Sequence, residues 1–306
     1  MALLWSVIKE WEMGHDHSHH EFVSTKKLYL AVVINIILTV FQVIGGLLSG
    51  SLSLLADALH NFSDAGALGI AAIAVKIAKV PSNQRMTYGY KRAEILGALI
   101  NSITLVMVGV YLLYESINRY FDQNTVDGWT VVWVAAIALV IDILTALLTY
   151  SGSKDSVNIK AAFVHNVSDA AASVVVIVSG ILIINFQIYI VDLLATVVIS
   201  FYVLYQSFIL IRQCILVLMQ STPAHINIDD IKKAVEDISL VNEAHHIHVW
   251  QLDDKKIFME GHIKIAAENL PKIEIIKSQI RQFLKSKFSI THTTLEIEVG
   301  DECNNM

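Results

Sequence analysis

Six long runs of apolar residues, nearly free of Lys, Arg, Asp and Glu, fill most of positions 28–218. After them the pattern changes to the mixed polar and apolar alternation of a soluble domain. A helix needs about 20 mostly apolar residues to cross a hydrocarbon core. The runs Leu28–Leu48, Leu52–Ile77, Ile95–Ile117, Val131–Tyr150, Ala161–Ile184 and Tyr189–Leu218 meet that length. Tyr114, Tyr120, Trp129, Trp133 and Tyr189 fall near run ends, where interfacial aromatics belong. The remainder reads as helix, strand, strand, helix, strand over Asp229–Ile238, His245–Leu252, Lys256–Ile265, Pro271–Lys287 and Thr291–Val299. In the last strand Thr293, Leu295, Ile297 and Val299 share one face and His292, Thr294, Glu296 and Glu298 the other, so the sheet has one wet face. The predicted architecture is an all-α bundle of six transmembrane helices followed by a small α+β domain, with boundaries at 1–24 (tail), 25–220 (membrane domain) and 221–306 (soluble domain).

Composition agrees with this division. Of 306 residues, 55% are hydrophobic and 16% charged, where a soluble domain carries about 25% charged residues. The net charge of -6 comes with no basic cluster, so nothing argues for a nucleic-acid partner. Two cysteines, Cys214 and Cys303, support neither a disulfide framework nor a paired-cysteine zinc motif. Met1–Met13 lacks the pattern of a signal peptide. Charge also orients the spans. Lys26 and Lys27 precede the first; Lys79, Arg85, Lys91 and Arg92 lie between the second and third; Lys154 and Lys160 lie between the fourth and fifth. Ser49–Ser51, Phe121–Asp127 and Asn185–Ile188 contain no Lys or Arg. The positive-inside rule then places both termini in the cytosol. Compact loops and the absence of organelle signals suit a bacterial inner membrane.

The two halves share a motif. Leu59-His60-Asn61-Phe62-Ser63-Asp64-Ala65 recurs as Val164-His165-Asn166-Val167-Ser168-Asp169-Ala170, at an offset of 105 residues. With three spans per half, the second and fifth spans run in opposite directions, which is the inverted repeat of many transporters, whose substrate site lies where the repeats meet. In each copy His and Asp are four apart, on one helix face about one turn from each other. An ionised Asp near a helix centre costs about 2.5–3.5 kcal/mol on insertion scales, and a dication offsets that cost. Two imidazoles and two carboxylates form a tetrahedral set suited to zinc. The nitrogen ligands argue against magnesium and calcium, and less strongly against manganese. The alternative is that His60, Asp64, His165 and Asp169 pair with one another only to hold helices together. Asn61, Ser63, Asn166 and Ser168 are read as helix contacts. Asp57 lies one turn before His60, with Ala162 at the matching position of the other half, so a role orienting His60 competes with a plain interhelical hydrogen bond. Asp142 and Asp192 need to face the interior.

These residues resemble the cation diffusion facilitator family, close to its zinc, cadmium and cobalt exporters. The resemblance rests on Ser51–His60 with Asp64, Tyr88-Gly89-Tyr90-Lys91-Arg92-Ala93-Glu94, the His165/Asp169 pair, and His248-Val249-Trp250, and it spans about residues 25–300. It implies a homodimer, proton-coupled antiport and a C-terminal domain like a small metallochaperone. It points to His245, His262 and His292 as metal ligands in the cytosolic domain, against the alternative of ordinary surface histidines. Some members carry a histidine site in the loop after the second span; residues 78–94 here contain no His, so that site is expected to be absent. His15, His17, His19 and His20 with Asp16 form a tail that could collect metal or could simply be solvated.

The functional expectation is secondary active efflux of a divalent metal, zinc first with cadmium or cobalt as further substrates, in exchange for protons. A loaded site is near neutral, with two positive charges on zinc against Asp64 and Asp169. Metal ligands must be deprotonated, so protons compete for His60 and His165. No cofactor is implied beyond the transported ion. An intramembrane zinc hydrolase would need an open coordination position and a general base, and the chain has neither an H-E-x-x-H helix nor a spare glutamate near the motif. A membrane metal sensor would have no use for a symmetric pathway.

Overall fold

The computed structural model describes residues 25–121, 125–150, 157–253 and 256–299; the histidine tail at 15–20 lies outside them. Six long helices come first: α1 (Thr25–Ser49), α2 (Leu52–Ala78), α3 (Ala93–Phe121), α4 (Gly128–Tyr150), α5 (Val157–Phe186) and α6 (Ile190–Leu218). Four contain stretches long and apolar enough to span a membrane: Ala93–Phe121, Gly128–Leu147, Phe163–Phe186 and Ile190–Leu218.

Burial in this bundle is inverted relative to a water-soluble protein. Gln42, Ser53, Asp57, Ser102, Ser173 and Thr196 are completely or almost completely buried, while Leu48, Phe121, Trp133, Leu147, Phe186 and Tyr205 are exposed. Apolar side chains facing outward need an apolar solvent, and each polar group turned inward needs a protein partner. Close helix approaches use small residues, as expected where van der Waals contact drives association. The tightest joins α4 to α5. A Cβ on Gly180 would stand 2.7 Å from Val132 Cγ2, and one on Gly128 would stand 2.9 Å from the Gly180 carbonyl.

Partners exist for the remaining buried acids. Asp192, at the start of α6, accepts from the Ser51 and Ser53 hydroxyls (2.6 Å each) and from the Leu52 and Ser53 amides (2.7 and 3.4 Å). The first turn of α2 is thus capped by a carboxylate from another helix, which satisfies amides that no intrahelical carbonyl can reach. Asp142 accepts from the Ser173 hydroxyl at 3.0 Å. Arg119 lies in the last turn of α3, which runs on to Phe121; its Nε donates to Glu115 (3.0 Å) and a guanidinium N–H donates to the Gly50 carbonyl (2.7 Å).

The described residues divide into two compact units. The first takes the chain up to Ile77 and Gly97–Ile211; the second takes the connector Ala78–Leu96 and the chain from Arg212 onward. In the second unit, α7 (Ile228–Glu236) is followed by β1 (Glu243–Gln251), β2 (Ile257–Ile265), α8 (Ile273–Phe288) and β3 (Ile290–Val299), the order read from the sequence. β2 is central, antiparallel to β1 and parallel to β3. One sheet face, through Val249, Met259, Ile263 and Leu295, packs with Ile231 and Val235 of α7 and Ile276, Ile280 and Leu284 of α8 into one core. The α8 residues recur every four positions, the spacing of a single helix face. Asn227 caps α7 by accepting from the Asp229 amide at 2.9 Å.

Candidate functional site

The two motif copies meet inside the helical unit. Asp64 lies twelve residues from the start of α2 at Leu52, and Asp169 twelve from the start of α5 at Val157. At about 1.5 Å per residue, each sits about 18 Å along its helix. His60 Nε2 is 3.8 Å from Asp64 Oδ2 and 3.5 Å from Asp169 Oδ1; His165 Nε2 is 3.2 Å from Asp64 Oδ2 and 3.4 Å from Asp169 Oδ2. One ligand atom from each of the four residues lies within 4.8 Å of all the others. In a tetrahedral zinc site with bonds of about 2.0–2.2 Å, neighbouring ligand atoms are about 3.3–3.6 Å apart; the His–Asp separations of 3.2–3.8 Å are close to that spacing, with Asp169 turning one oxygen to each imidazole. Among the described residues, His60 Nε2, Asp64 Oδ2 and Asp169 Oδ1 are buried without a hydrogen-bond partner. Buried polar atoms are normally paired, and three unpaired atoms converging on one point make a cation cradle.

Around this set, Tyr202 of α6 stands edge to face with the His60 ring at 6.3 Å. Asp57 is fully buried; its Oδ2 accepts from Gln42 of α1 at 2.7 Å, and Asn61 donates to the same Gln42 at 3.1 Å. Ser63 donates to Asn101 of α3 (3.3 Å) and Ser168 to the Val164 carbonyl one turn back (3.0 Å). These are the helix contacts read for Asn61, Ser63 and Ser168. Asn166 is buried.

The soluble unit brings together His245 and His262 of the three histidines expected there, and adds His246. Ring centroids are 5.1 Å apart for His245 and His246, 5.4 Å for His245 and His262, and 5.0 Å for His246 and His262. Glu298 closes the group: one oxygen lies 2.6 Å from His262 Nδ1, the other 3.2 Å from His245 Nε2. The hydrogen bond with His262, followed by the nearby His245, holds the Glu298 carboxyl below the usual glutamate range.

His292, the third histidine expected there, lies outside this group. Two features of the sheet account for it. A β-bulge interrupts the β1–β2 register between His245 and His248, and His246 takes a left-handed φ of 47°. Strict alternation would send His246 to the core face; the extra residue turns it to the wet face beside His245 while Ile247 packs against the core. The parallel register sets His292 opposite Phe258, whose ring lies 4.8 Å away, whereas His262 is opposite Glu296. Glu298 was legible as a wet-face residue. The place of His246 beside His245 depends on the bulge, which nothing in the run His245-His246 marks.

Comparison with known proteins agrees with both parts. The family model described as the cation efflux transmembrane domain matches residues 28–219, and that described as the cation efflux protein, cytoplasmic domain, matches 223–299. The zinc transporter ZitB of Pectobacterium atrosepticum is 33% identical over 288 residues, covering 94% of this chain and 89% of that protein. The metal cation efflux system protein CzcD of Cupriavidus metallidurans is 32% identical over 290 residues, covering 94% and 91%. The cadmium, cobalt and zinc/H(+)-K(+) antiporter of Bacillus subtilis is 32% identical over 289 residues, covering 94% and 92%. The solved metal-bound C-terminal domain of the Cupriavidus CzcD transporter aligns with 24% of this chain and 99% of its own at 26% identity and a TM-score of 0.22. Matched by the family models across both of its parts, this chain belongs to the cation efflux family, as a multi-pass membrane protein of metal efflux.

Proposed function

We propose that this chain exports zinc from the cytosol in exchange for protons, through a tetrahedral site of His60, Asp64, His165 and Asp169. The observation that carries the reading is the convergence of four ligand atoms from two helices, with His–Asp separations of 3.2–3.8 Å, at equal positions along α2 and α5. The relatives named for zinc, cadmium and cobalt support the same choice of cargo. Cadmium and cobalt fit the donor set less selectively than they fit a thiolate site. The two carboxylates neutralise the dication in the bilayer. When it leaves, protons on His60 or His165 take over that role and return inward, so at most two protons exchange per metal at this site. A relative named as an H(+)-K(+) antiporter supports the exchange.

In this reading residues 1–24 are a cytosolic tail, 25–220 the membrane domain and 221–306 a cytosolic domain, with both termini inside a bacterial inner membrane. Asp57 makes an interhelical hydrogen bond to Gln42 of α1, and among the described residues none to His60. The match of 223–299 to the dimerising cytoplasmic domain of the family supports a homodimer. In the cytosolic domain we assign metal binding to His245, His246 and His262 with Glu298, and no ligand role to His292. The test is zinc uptake into sealed proteoliposomes with and without a pH gradient, beside Asp64→Ala and Asp169→Ala. Gradient-driven flux lost in both variants is the expected result. Flux indifferent to the gradient would end the exchange reading, and flux retained in the variants would end the site reading.

A further inference from the structure

Gln42 of α1 is a fully buried amide. Its Nε2 donates to Asp57 Oδ2 at 2.7 Å, and its Oε1 accepts from Asn61 Nδ2 at 3.1 Å. Asp57 and Asn61 are four apart on α2, so they share a helix face, and they bracket His60 in sequence. Gln42 presents its N–H to Asp57 and its carbonyl to Asn61, the arrangement that suits a carboxylate acceptor on one side and an amide donor on the other. Close by, α1 and α2 make backbone contact: a Cβ on Gly46 would stand 3.2 Å from the Leu55 amide nitrogen.

Resting on the proposed transport site, we infer that Gln42 is a positioning residue that fixes the rotation of α2 about its own axis and thereby the aim of His60 and Asp64 at the metal. The magnitudes favour this over simple adhesion. A rotation of α2 by about 20° moves an atom at a radius of about 5–6 Å by about 2 Å, whereas metal–ligand distances tolerate about 0.2 Å. Apolar contacts along α1 hold the helices together but resist such a rotation weakly. A directional clamp on two residues one turn apart resists it strongly, because rotation breaks both bonds together. Polarity adds to the effect: Asp57 Oδ1 has no hydrogen-bond partner among the described residues, so Gln42 supplies the one hydrogen bond seen to that buried carboxylate.

The test uses the full chain in proteoliposomes with Zn2+ and Cd2+, reading KM, kcat and the Zn/Cd preference for Gln42→Leu, Gln42→Glu, the double variant Gln42→Glu/Asp57→Asn, and Asp64→Ala. Gln42→Glu keeps the shape but sets an acceptor against Asp57. We expect zinc KM to rise about 10- to 100-fold, as for other residues that orient metal ligands, with a narrowed Zn/Cd preference. The double variant restores the hydrogen bonds with their roles exchanged, since the new carboxylate at 42 accepts from Asn61 and from the new amide at 57. It should return both KM and the Zn/Cd preference to within about threefold of the parent, because the same two hydrogen bonds are made again. A parental KM in either single Gln42 variant, or a double variant as impaired as Gln42→Glu, overturns the inference. Retained flux in Asp64→Ala would instead remove the site on which it rests.

Discussion

Asp169→Asn separates a transport site from a helix contact. Asp169 is the more enclosed of the two carboxylates, with its side chain 9% exposed against 25% for Asp64, and its oxygens lie 3.5 Å from His60 Nε2 and 3.4 Å from His165 Nε2. With an amide in its place, a bound dication keeps one carboxylate and the site carries a net positive charge inside the bilayer. An uncompensated charge near a helix centre costs about 2.5–3.5 kcal/mol on insertion scales. At about 1.4 kcal/mol per tenfold, this weakens zinc binding by about 60- to 320-fold. Asp64→Asn should cost less, because its side chain is the less enclosed of the two. The assay is a competition titration against a chromophoric chelator, in a chain whose His245, His246 and His262 are changed to Ala so that the soluble unit contributes nothing. Thermal unfolding of the metal-free chain supplies the second reading. Were the four groups only interhelical ion pairs, breaking one would destabilise the metal-free chain by about 3–5 kcal/mol. A metal cradle predicts a smaller loss, since an imidazole that has lost its carboxylate can give up its proton and become neutral. Zinc affinity within threefold of the parent, or an effect smaller than that of Asp64→Asn, would refute the reasoning.

The soluble unit gives two further tests. Cobalt bound there, read from its visible absorption, should be lost in His246→Ala and Glu298→Gln and kept in His292→Ala; the reverse order would return His292 to the ligand set. Because Glu298 is held below the usual glutamate range by His262 and then His245, its contribution is complete above the unfolded glutamate pKa and is lost as pH falls through the folded one. Amide protection of β3 in the metal-free chain should therefore decline more steeply on acidification in the parent than in Glu298→Gln, and equal slopes would deny that linkage. In the bundle, Gly180→Leu places side chain against Val132 Cγ2, already 2.7 Å from a Cβ, and should cost at least about 1–3 kcal/mol of stability. An unchanged melting temperature in detergent would mean that α4 and α5 do not meet there.

Much of this molecule is written in one-dimensional patterns. Where a bilayer is the solvent, backbone satisfaction and an apolar exterior leave little besides long helices, so the six runs located α1 to α6 with ends differing by a few residues. Spacing of four in a helix fixes a shared face, so His60 with Asp64, and His165 with Asp169, were legible as pairs, and their repetition proposed one site. Alternation likewise put Glu298 on the wet face of its strand. Other features depend on which segments meet. The start of α5 at Val157, which equalises the positions of Asp64 and Asp169, lies beyond the apolar run, because a helix can extend past the region its hydropathy marks. Gln42 is one polar residue in an apolar helix until α1 packs beside Asp57 and Asn61. His246 joins the histidine cluster, and His292 leaves it, through a bulge and a parallel register, and both are properties of paired strands. Local periodicity is a property of one segment and survives in the sequence; the geometry that decides which neighbours share a metal is a property of two or more segments, and it exists only once they have packed.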